Sequence, residues 1–341
     1  MRGRRLVATL GGIALLALTA CAPRPTGATA SGVDPAVGCG PATARLPDQD
    51  VTPVDDNPPS HLPVTVTSAD GTDVTVTDAS RILPVNLYGS IAEIVFSLGL
   101  GDRVVGRDTS TTLAAAAHLP VVTPAGHDLS GEAILRLDPT VVIADNSIGP
   151  PEVLNQLRRS GIAVVLVDDE QTLPAISRHI RAIATALGVP QSGEKLVARV
   201  EGEIAGARRQ APSGRPLRIA FLYLRGTAGV FLMGGEGAGS DEMIRAIGAV
   251  DAGTEIGLVK FRPLTSEGLI NAAPDVILVM THGLESVKGV DGLIAMPGVG
   301  QTPAGQNRRI VDMDDGLLLN FGARTGPAIA ALAEAVYRSC R

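Results

Sequence analysis

The chain has 341 residues, of which 19% are charged and 2% aromatic, and its 29 Lys and Arg stand against 35 Asp and Glu, a formal net charge of −6. This acidity argues against nucleic acid as a partner, since a nucleic-acid-binding chain needs a basic surface. The sequence also lacks HExxH, the nucleophile elbow GxSxG, a CxxC pair and a P-loop, so we expect a binding protein and not an enzyme.

The N-terminus has the pattern of a bacterial lipoprotein signal peptide, which we assign to residues 1–20. Three arginines precede a mostly apolar stretch, Leu6 to Thr19, that is short for a membrane-spanning helix, and small residues lead directly into Cys21. Cys21 would carry lipid and hold the mature protein on the outer face of the cytoplasmic membrane. An uncleaved anchor is the alternative. Cleavage would leave 26 Lys and Arg against 35 Asp and Glu, a net charge of −9.

Residues 21–60 are rich in Pro, Ala, Thr, Gly and Asp and poor in large apolar side chains, which predicts a flexible spacer between the lipid and the folded body. Two further cysteines, Cys39 and Cys340, lie near opposite ends of the mature chain. Because an extracytoplasmic compartment permits disulfides, we expect them to pair; two free thiols are the alternative.

An internal repeat divides the remaining body, about 280 residues long, into two lobes. Residues 129–144 align without gaps on residues 264–279, with identical leucine, glutamate, proline and valine positions. Each copy predicts a capped amphipathic helix, a proline that ends it and an apolar strand suited to the middle of a parallel sheet. Gly89-Ser90 and Gly239-Ser240 open a further pair of matching helices.

A helical crossing is predicted between the lobes. Residues 172–211 keep apolar side chains at helical spacing, with one interruption at Gly188-Val189-Pro190. We therefore predict an α/β fold of two lobes of similar topology, 61–171 and 212–341, each with a central, mainly parallel sheet. A single long helical crossing would join them, and the ligand cleft would lie between them.

Several phrases of the sequence carry a family resemblance. The signal, the order of lobe, helix and lobe, and the phrases GSIAEIVFSLGLGDRVVGRD, LSGEAILRLDPTVVIAD and AIATALGVP resemble the helical-backbone substrate-binding lipoproteins of ABC importers for haem, ferric siderophores and cobalamin. The phrases AGHDLSGEAIL, LYLRGTAG and THGLESVKGVDGLIAMPGVGQTPAG are similar to the haem-binding lipoproteins of actinobacterial haem-uptake transporters. The resemblance implies a monomeric carrier of ferric haem b that meets an ABC permease with its ATPase, and other surface haem-binding proteins.

The resemblance assigns the axial iron ligands to His127 and Tyr223. Tyr223 and Arg225 lie two apart in a predicted strand, so they point to one face, near the carboxyl end where α/β folds place ligands. A phenolate suits ferric iron, and a nearby guanidinium favours the anion. His127, in the loop before the helix opened by Ser130, would supply imidazole from the other lobe. A half-buried strand tyrosine and a locally hydrogen-bonded loop histidine are the alternatives.

Further haem contacts are expected in the C-terminal lobe. Met233 would belong to an apolar wall formed by residues 230–233, followed by a glycine-rich loop that lets backbone approach a flat ligand. Arg262, the counterpart of His127 in the repeat, would bind a propionate. His282 follows an apolar strand and would contact a propionate or serve as an alternative ligand.

Two other histidines bear on the ligand assignment. His118 precedes His127 by nine residues and is its rival in the first lobe. His179 lies between arginines in the helical crossing and is expected on a solvated, charged helix face.

Docking on the permease is the second function that the resemblance implies. In the family an acidic residue on each lobe meets arginines of the permease, and Glu93 and Glu242 occupy the matching helix openings. Both have structural alternatives, since Ser90 and Glu93 form a capping box and Glu242 lies in a first helical turn, where acids favour the helix dipole.

A ferric-siderophore carrier is the runner-up. Its site would hold an anionic chelate with arginines and aromatics and place no protein atom on the iron, so substitution of Tyr223 or His127 would leave the iron spectrum unchanged. A cobalamin carrier is third, because only 2% of the residues are aromatic.

Overall fold

The structure is a computed structural model that describes residues 40–212 and 214–337. The predicted signal peptide, the lipidation site Cys21 and the Cys39–Cys340 disulfide lie outside those residues and remain predictions. Within the described ranges, no helix is both long enough and apolar enough to cross a bilayer.

Twelve β-strands and thirteen α-helices are formed by the described residues. The strands are β1 (Ala42–Ala44), β2 (Val64–Thr67), β3 (Asp73–Val76), β4 (Ile82–Pro84), β5 (Val141–Ala144), β6 (Ala163–Leu166), β7 (Arg218–Arg225), β8 (Val230–Gly234), β9 (Val250–Asp251), β10 (Phe261–Pro263), β11 (Val276–Met280) and β12 (Ile310–Met313). The helices are α1 (Ser90–Ser97), α2 (Gly131–Arg136), α3 (Pro151–Arg159), α4 (Leu173–Ala186), α5 (Pro190–Arg208), α6 (Ser240–Ala246), α7 (Ala252–Glu255), α8 (Ser266–Ala272), α9 (Thr281–Ser286), α10 (Gly289–Ile294), α11 (Pro303–Gln306), α12 (Asp315–Leu318) and α13 (Thr325–Tyr337).

The sheet of the N-terminal lobe consists of three parallel strands in the order β4-β5-β6, and β2 and β3 form a separate antiparallel pair. Every residue of β5 is buried. Val141 and Ile143 contact one apolar core, and Val142 and Ala144 contact another on the opposite face. The strand is apolar at every position because both of its faces are covered.

The sheet of the C-terminal lobe has the order β1-β12-β11-β7-β8-β10, and the short β9 also pairs with β7. Strands β1, β12, β11 and β7 are parallel; at one edge β8 pairs antiparallel with β7, and β10 pairs antiparallel with β8. The predicted fold class, two α/β lobes with central, mainly parallel sheets, is confirmed.

The internal repeat is visible in the backbone. Ser130 and Thr265 cap α2 and α8, and each hydroxyl accepts a hydrogen bond from the N–H three residues later. After each helix, a residue with positive φ stands directly before the proline: Asp138 at 45° and Ala273 at 42°. A left-handed residue at the equivalent position therefore turns the chain from helix into buried strand in both lobes.

The crossing between the lobes consists of α4 and α5, which lie within the predicted 172–211. Ile176, Ile180 and Ile183 are fully buried, as their spacing predicts. Gly188 has a φ of 72°, and Pro190 is the first residue of α5. A left-handed glycine that ends one helix and a proline that begins the next explain the break.

The largest apolar core extends through both lobes. It contains Ile82 of β4, Leu196 of α5 and Val311 of β12, and smaller cores cover the outer face of each sheet. Since one core joins the two sheets to the crossing helices, a wide hinge motion would have to break apolar contacts.

The predicted spacer of residues 21–60 is wrong for residues 40–60, which pack on both lobes. Strand β1 pairs with β12, with Ala42 opposite Val311, and so belongs to the sheet of the C-terminal lobe. The backbone N–H of Val54 then donates to Ser97 O at the end of α1. Ala42 and Ala44 are buried and Thr43 between them is exposed, as the alternation of a strand requires. Their side chains are small, so this short edge strand adds little apolar surface to the core. The chain therefore passes between the lobes once more, before β2.

Candidate functional site

A cavity of about 370 Å³ lies between the lobes, at the carboxyl ends of the parallel strands. The volume falls within the roughly 300–1,000 Å³ of small-molecule sites. The N-terminal lobe contributes Leu87, Tyr88, Thr109, Ser110, Thr112 and His127. The C-terminal lobe contributes residues that include Tyr223, Arg225, Met280, His282, Asp315 and Leu319. Loops that follow several parallel strands converge at this edge, which is where α/β sheets bind ligands.

Four residues singled out from the sequence line this cavity together: His127, Tyr223, Arg225 and His282. They come from the loop before α2, the end of β7 and the start of α9. The cavity therefore carries one imidazole from the N-terminal lobe, and a phenol, a guanidinium and a second imidazole from the C-terminal lobe.

Tyr223 is half-buried at the carboxyl end of β7 and lies opposite Leu232 of β8. Its ring packs edge-to-face on Phe261, with ring centroids 5.9 Å apart. The Arg225 guanidinium lies over the Tyr223 ring, with Cζ 4.6 Å from the ring centroid. Two residues of one strand thus place a cation on the face of the phenol ring. The negative face of the ring attracts the cation electrostatically.

Asp315 determines where Arg225 points. One guanidinium nitrogen of Arg225 donates to Asp315 Oδ2 at 2.9 Å, and the other donates to the Leu224 carbonyl at 2.9 Å. The other carboxylate oxygen, Asp315 Oδ1, accepts from the His282 backbone N–H at 3.1 Å and lies 3.5 Å from His282 Nδ1. Asp315 therefore connects the arginine beside Tyr223 with the second imidazole of the cavity.

His127 is exposed in the loop between β4 and α2, four residues after Thr123. Two parts of this loop are anchored: Thr123 accepts hydrogen bonds from the N–H and the hydroxyl of Thr109, and Leu129 N donates to Gly149 O at 2.6 Å. The imidazole is thus carried on a short loop that is held at both ends, and it lines the cavity.

Tyr88 is a cavity residue that the sequence analysis did not identify. It follows β4, and its carbonyl accepts a hydrogen bond from Asn320 Nδ2 of the other lobe at 2.9 Å. Burial, followed by the negative charges of Asp145 and Asp169, raises the pKa of the Tyr88 hydroxyl. Tyr88 is therefore a neutral phenol at neutral pH.

A buried polar cluster supports the N-terminal wall. Asp108 accepts hydrogen bonds from the N–H groups of Asn86 and Thr111 at 3.0 and 2.7 Å. Burial raises the pKa of Asp108 to about 6, although these donors oppose the rise. Asn86 Nδ2 also donates to Asp145, whose pKa is raised by burial as well. The cluster fixes the two loops that carry Leu87 and Ser110 to the cavity.

Two predicted contacts lie elsewhere. Met233 is 2% exposed and packs in the outer core of the C-terminal lobe, opposite Leu222. Arg262 is exposed on the edge strand β10. Neither side chain lines the cavity. β8 runs antiparallel to β7, so residues 230–233 return from the cavity edge, and Arg262 lies one strand further out, on β10.

The prediction of Glu93 as a docking residue is wrong. Its side chain is 1% exposed, and its carboxylate accepts from the backbone N–H and from Nε of Arg324 at 2.6 and 2.8 Å. Arg324 in turn donates to the Gln49 carbonyl at 2.7 Å. The apolar helix α1 is buried on all sides, so its one acidic residue is enclosed in an ion pair that joins the lobes.

Glu242 lies in the first turn of α6 and is 23% exposed. It accepts hydrogen bonds from Arg245 at 2.8 Å and from the N–H of Leu173, the first residue of α4, at 3.4 Å. One carboxylate therefore ties α6 to the crossing helices and still reaches the surface.

The rival histidines lie away from the cavity. His118 is exposed and lines a different depression, with Asp55 and Phe96. His179 is 5% exposed and bonds Asp168 through Nε2 at 2.7 Å. The prediction that His179 lies on a solvated helix face is wrong. The side of α4 that carries His179 packs under the loop that follows β6.

A larger groove of about 600 Å³ lies between α4, α5 and α6. Three of its arginines are paired with carboxylates: Arg178 with Glu170, Arg181 with Glu194, and Arg245 with Glu242. Since these charges are already compensated, the smaller cavity between the lobes is the better candidate for ligand binding.

No three His, Cys, Asp or Glu side chains cluster among the described residues in a way that could hold a bare metal ion. The cavity instead offers an imidazole and a phenol on opposite lobes. Such a pair suits the two axial positions of an iron that brings its own equatorial ligands.

Comparison with known proteins places the chain. The family model described as "Periplasmic binding protein" matches residues 85–317. An uncharacterised ABC transporter substrate-binding lipoprotein, YvrC of Bacillus subtilis strain 168, is 27% identical over 281 residues, which are 81% of this chain and 86% of that protein.

Two solved structures are close to this fold. The heme binding protein HmuT is 42% identical, with a TM-score of 0.85 over 90% of this chain and 100% of that one. The periplasmic heme-binding protein RhuT of Roseiflexus sp. RS-1 is 46% identical, with a TM-score of 0.71 over 76% of this chain and 98% of that one. Structures of HmuT with a histidine, an arginine or a tyrosine replaced by alanine also match.

Proposed function

Because the chain belongs to the periplasmic binding protein family, we propose that it captures haem in the cavity between its lobes and delivers it to an ABC permease. The relatives are substrate-binding proteins of ABC transporters, which agrees with the expectation of a binding protein and not an enzyme. HmuT and RhuT are named as heme-binding, and each shares more than 40% of its residues with this chain.

The observation that carries this proposal is the convergence of His127 and Tyr223 on one cavity from opposite lobes. A haem between them would receive an imidazole on one face and a phenolate on the other. Ferric iron favours the phenolate, and the positive charge of Arg225 on the Tyr223 ring stabilises that anion further. The replacement of a histidine, an arginine and a tyrosine in HmuT is consistent with such a set.

The remaining cavity surface suits a flat, largely apolar ligand. Leu87, Met280 and Leu319 supply apolar contacts, while Ser110 and His282 supply polar groups for propionates. Aromatic side chains are rare in the chain, so aliphatic residues and the Tyr88 ring would cover the porphyrin. Ferric haem b is the proposed cargo.

The proposal for delivery uses a lipid anchor and a partly exposed carboxylate. A lipid on Cys21 would hold the carrier at the outer face of the cytoplasmic membrane. Glu242, which is partly exposed on α6, is the proposed contact with permease arginines. The buried Glu93 takes no part in it.

Hemin titration tests the proposal. The mature chain, with Cys21→Ser to prevent lipid attachment, is followed in the Soret and visible regions beside Tyr223→Phe and His127→Ala. His118→Ala is the matched control, since His118 is an exposed histidine of another depression. We expect saturable binding with a tyrosinate charge-transfer band that Tyr223→Phe abolishes, that His127→Ala alters and that His118→Ala leaves unchanged.

Two results would contradict the proposal. Absence of saturable hemin uptake would remove haem as the cargo. Hemin spectra that are indifferent to both Tyr223→Phe and His127→Ala would show that neither side chain binds iron, and would favour a ferric-siderophore carrier.

A further inference from the structure

Asp315 occupies a junction between three polar groups of the cavity. It is 21% exposed and forms an ion pair with Arg225 through Oδ2 at 2.9 Å. Its Oδ1 faces His282, which contributes the backbone N–H at 3.1 Å and the imidazole Nδ1 at 3.5 Å. Each carboxylate oxygen thus has a separate partner.

The backbone holds Asp315 in this place. It is the first residue of α12, whose N-cap Asp314 accepts from the Gly316 N–H at 2.9 Å. Leu318, three residues further on, is fully buried and anchors the short helix. The cap and the buried Leu318 therefore hold the backbone that carries the Asp315 carboxylate.

Two hydrogen bonds and the Tyr223 ring define the position of the Arg225 guanidinium. One nitrogen donates to Asp315 and another to the Leu224 carbonyl, and this pair of bonds sets the guanidinium plane over the phenol ring. The charge that acts on the phenolate is that of the Arg225–Asp315 pair and not that of a lone cation.

We propose that Asp315 is a positioning residue for the iron ligand Tyr223: it holds Arg225 on the ring face and tempers its charge, so that the phenolate stays a strong donor. The inference rests on the proposed haem function. Asp315 also gives His282 a carboxylate neighbour, which orients the imidazole into the cavity.

Substitutions at Asp315 separate its charge from its geometry. Asp315→Asn keeps an oxygen that accepts from Arg225 and removes the negative charge. Arg225 is then an uncompensated cation beside the phenolate, and its charge lowers the energy of the phenolate electrons. The tyrosinate-to-iron charge-transfer transition therefore needs more energy, and its band moves to shorter wavelength. Asp315→Ala frees Arg225 altogether, and Asp315→Glu restores the charge.

The experiment compares hemin complexes of the mature chain with those of the three variants. We expect a band shift in Asp315→Asn, and in Asp315→Ala hemin affinity weaker by about 10- to 100-fold, the usual effect of removing an outer-shell partner. Asp315→Glu should return both values toward the wild type. Asp314→Asn is the matched control, since Asp314 lies beside Asp315, lines the same cavity and is a helix cap that Asn replaces well.

The outcomes distinguish the two proposals. A wild-type complex without a tyrosinate band would refute haem ligation by Tyr223 and the inference with it. A wild-type band that stays unchanged in Asp315→Asn and Asp315→Ala, with unchanged affinity, would overturn the inference alone. Equal shifts in Asp314→Asn and Asp315→Asn would also overturn it, because they would show a general effect of cavity charge.

Discussion

The buried ion pair between Glu93 and Arg324 joins the two lobes, and Arg324→Ala should destabilise the protein strongly. The two side chains are 1% and 10% exposed. In the variant, the Glu93 carboxylate would keep the backbone N–H at position 324 and lose both contacts of the guanidinium. A buried carboxylate with a single hydrogen-bond donor destabilises the folded state, because nothing replaces the solvation that the charge lost on burial.

The expected loss in the free energy of unfolding is about 3–5 kcal/mol, the range for breaking a buried pair by removing one partner. This is a large share of the roughly 5–15 kcal/mol that stabilises a typical domain. At the about 2–4 °C per kcal/mol that holds for domains of 150–250 residues, the melting temperature should fall by roughly 6–20 °C. The double variant Glu93→Met with Arg324→Met should lose less than the two single substitutions together, because it leaves no unpaired charge.

Urea unfolding followed by circular dichroism measures these values. Arg136→Ala is the matched control, since Arg136 pairs with Glu132 at the same 2.8 Å but with side chains 68% and 82% exposed. That exposed pair should contribute only about 0.3–0.5 kcal/mol. A loss of less than about 1 kcal/mol in Arg324→Ala, similar to that of the control, would refute the reasoning from burial.

Three further predictions concern pH, lobe contact and redox state. Because burial raises the pKa of Asp108 from 3.8 to about 6, the folded protein holds a proton there that the unfolded chain releases; relative to Asp108→Asn, the wild type should gain stability as the pH falls from about 6 toward 4, up to ~3 kcal/mol in urea titrations. A Cβ in Gly316→Ala would collide with Thr112 Oγ1 of the opposite lobe and should weaken hemin binding about tenfold, with recovery in the double variant Gly316→Ala, Thr112→Ala. Intact mass without reductant should show a Cys39–Cys340 disulfide, whose removal by Cys340→Ser should cost about 2–5 kcal/mol.

Each of these has a contradicting result. A stability difference between wild type and Asp108→Asn that does not vary with pH would contradict the raised pKa. Hemin affinity in Gly316→Ala that Thr112→Ala fails to restore would show that the lobes do not meet at this contact. A mass that corresponds to two free thiols would contradict the disulfide.

The disulfide prediction has one structural argument in its favour. The buried Arg309 guanidinium donates to the carbonyl of Gly40 at 2.8 Å and to those of Ala335 and Val336 at the end of α13. Gly40 directly follows Cys39, and Val336 precedes Cys340 by four residues. One side chain therefore brings the flanking segments of the two cysteines together.

Much of the fold could be predicted from the sequence, because short-range patterns determine it. The capped helix, the proline and the apolar strand recur in both lobes with the same hydrogen bonds and the same left-handed residue before the proline. The spacing of Tyr223 and Arg225 placed both side chains on one face of a strand, and the structure has them in contact. Such features depend on residues that are near in sequence, so helical and strand periodicity reveals them.

The candidate site was predicted in part. His127, Tyr223, Arg225 and His282 line one cavity, but Tyr88 and Asp315 were missed. Both follow parallel strands closely at the edge where ligands bind, and a search for polar residues just after each predicted strand would have found them.

Only the tertiary structure decided the contacts between distant segments. The sequence predicts Glu93 as a docking residue or a member of a capping box, yet it pairs with Arg324, 231 residues away. The sequence predicts Met233 in a wall of the cavity, but β8 runs antiparallel to β7 and places Met233 in the outer core. The sequence by itself determined the repeat, the crossing helices and the strand that carries Tyr223, because these follow from local geometry. Burial and charge pairing depend on which segments meet, and packing of the whole chain decides that.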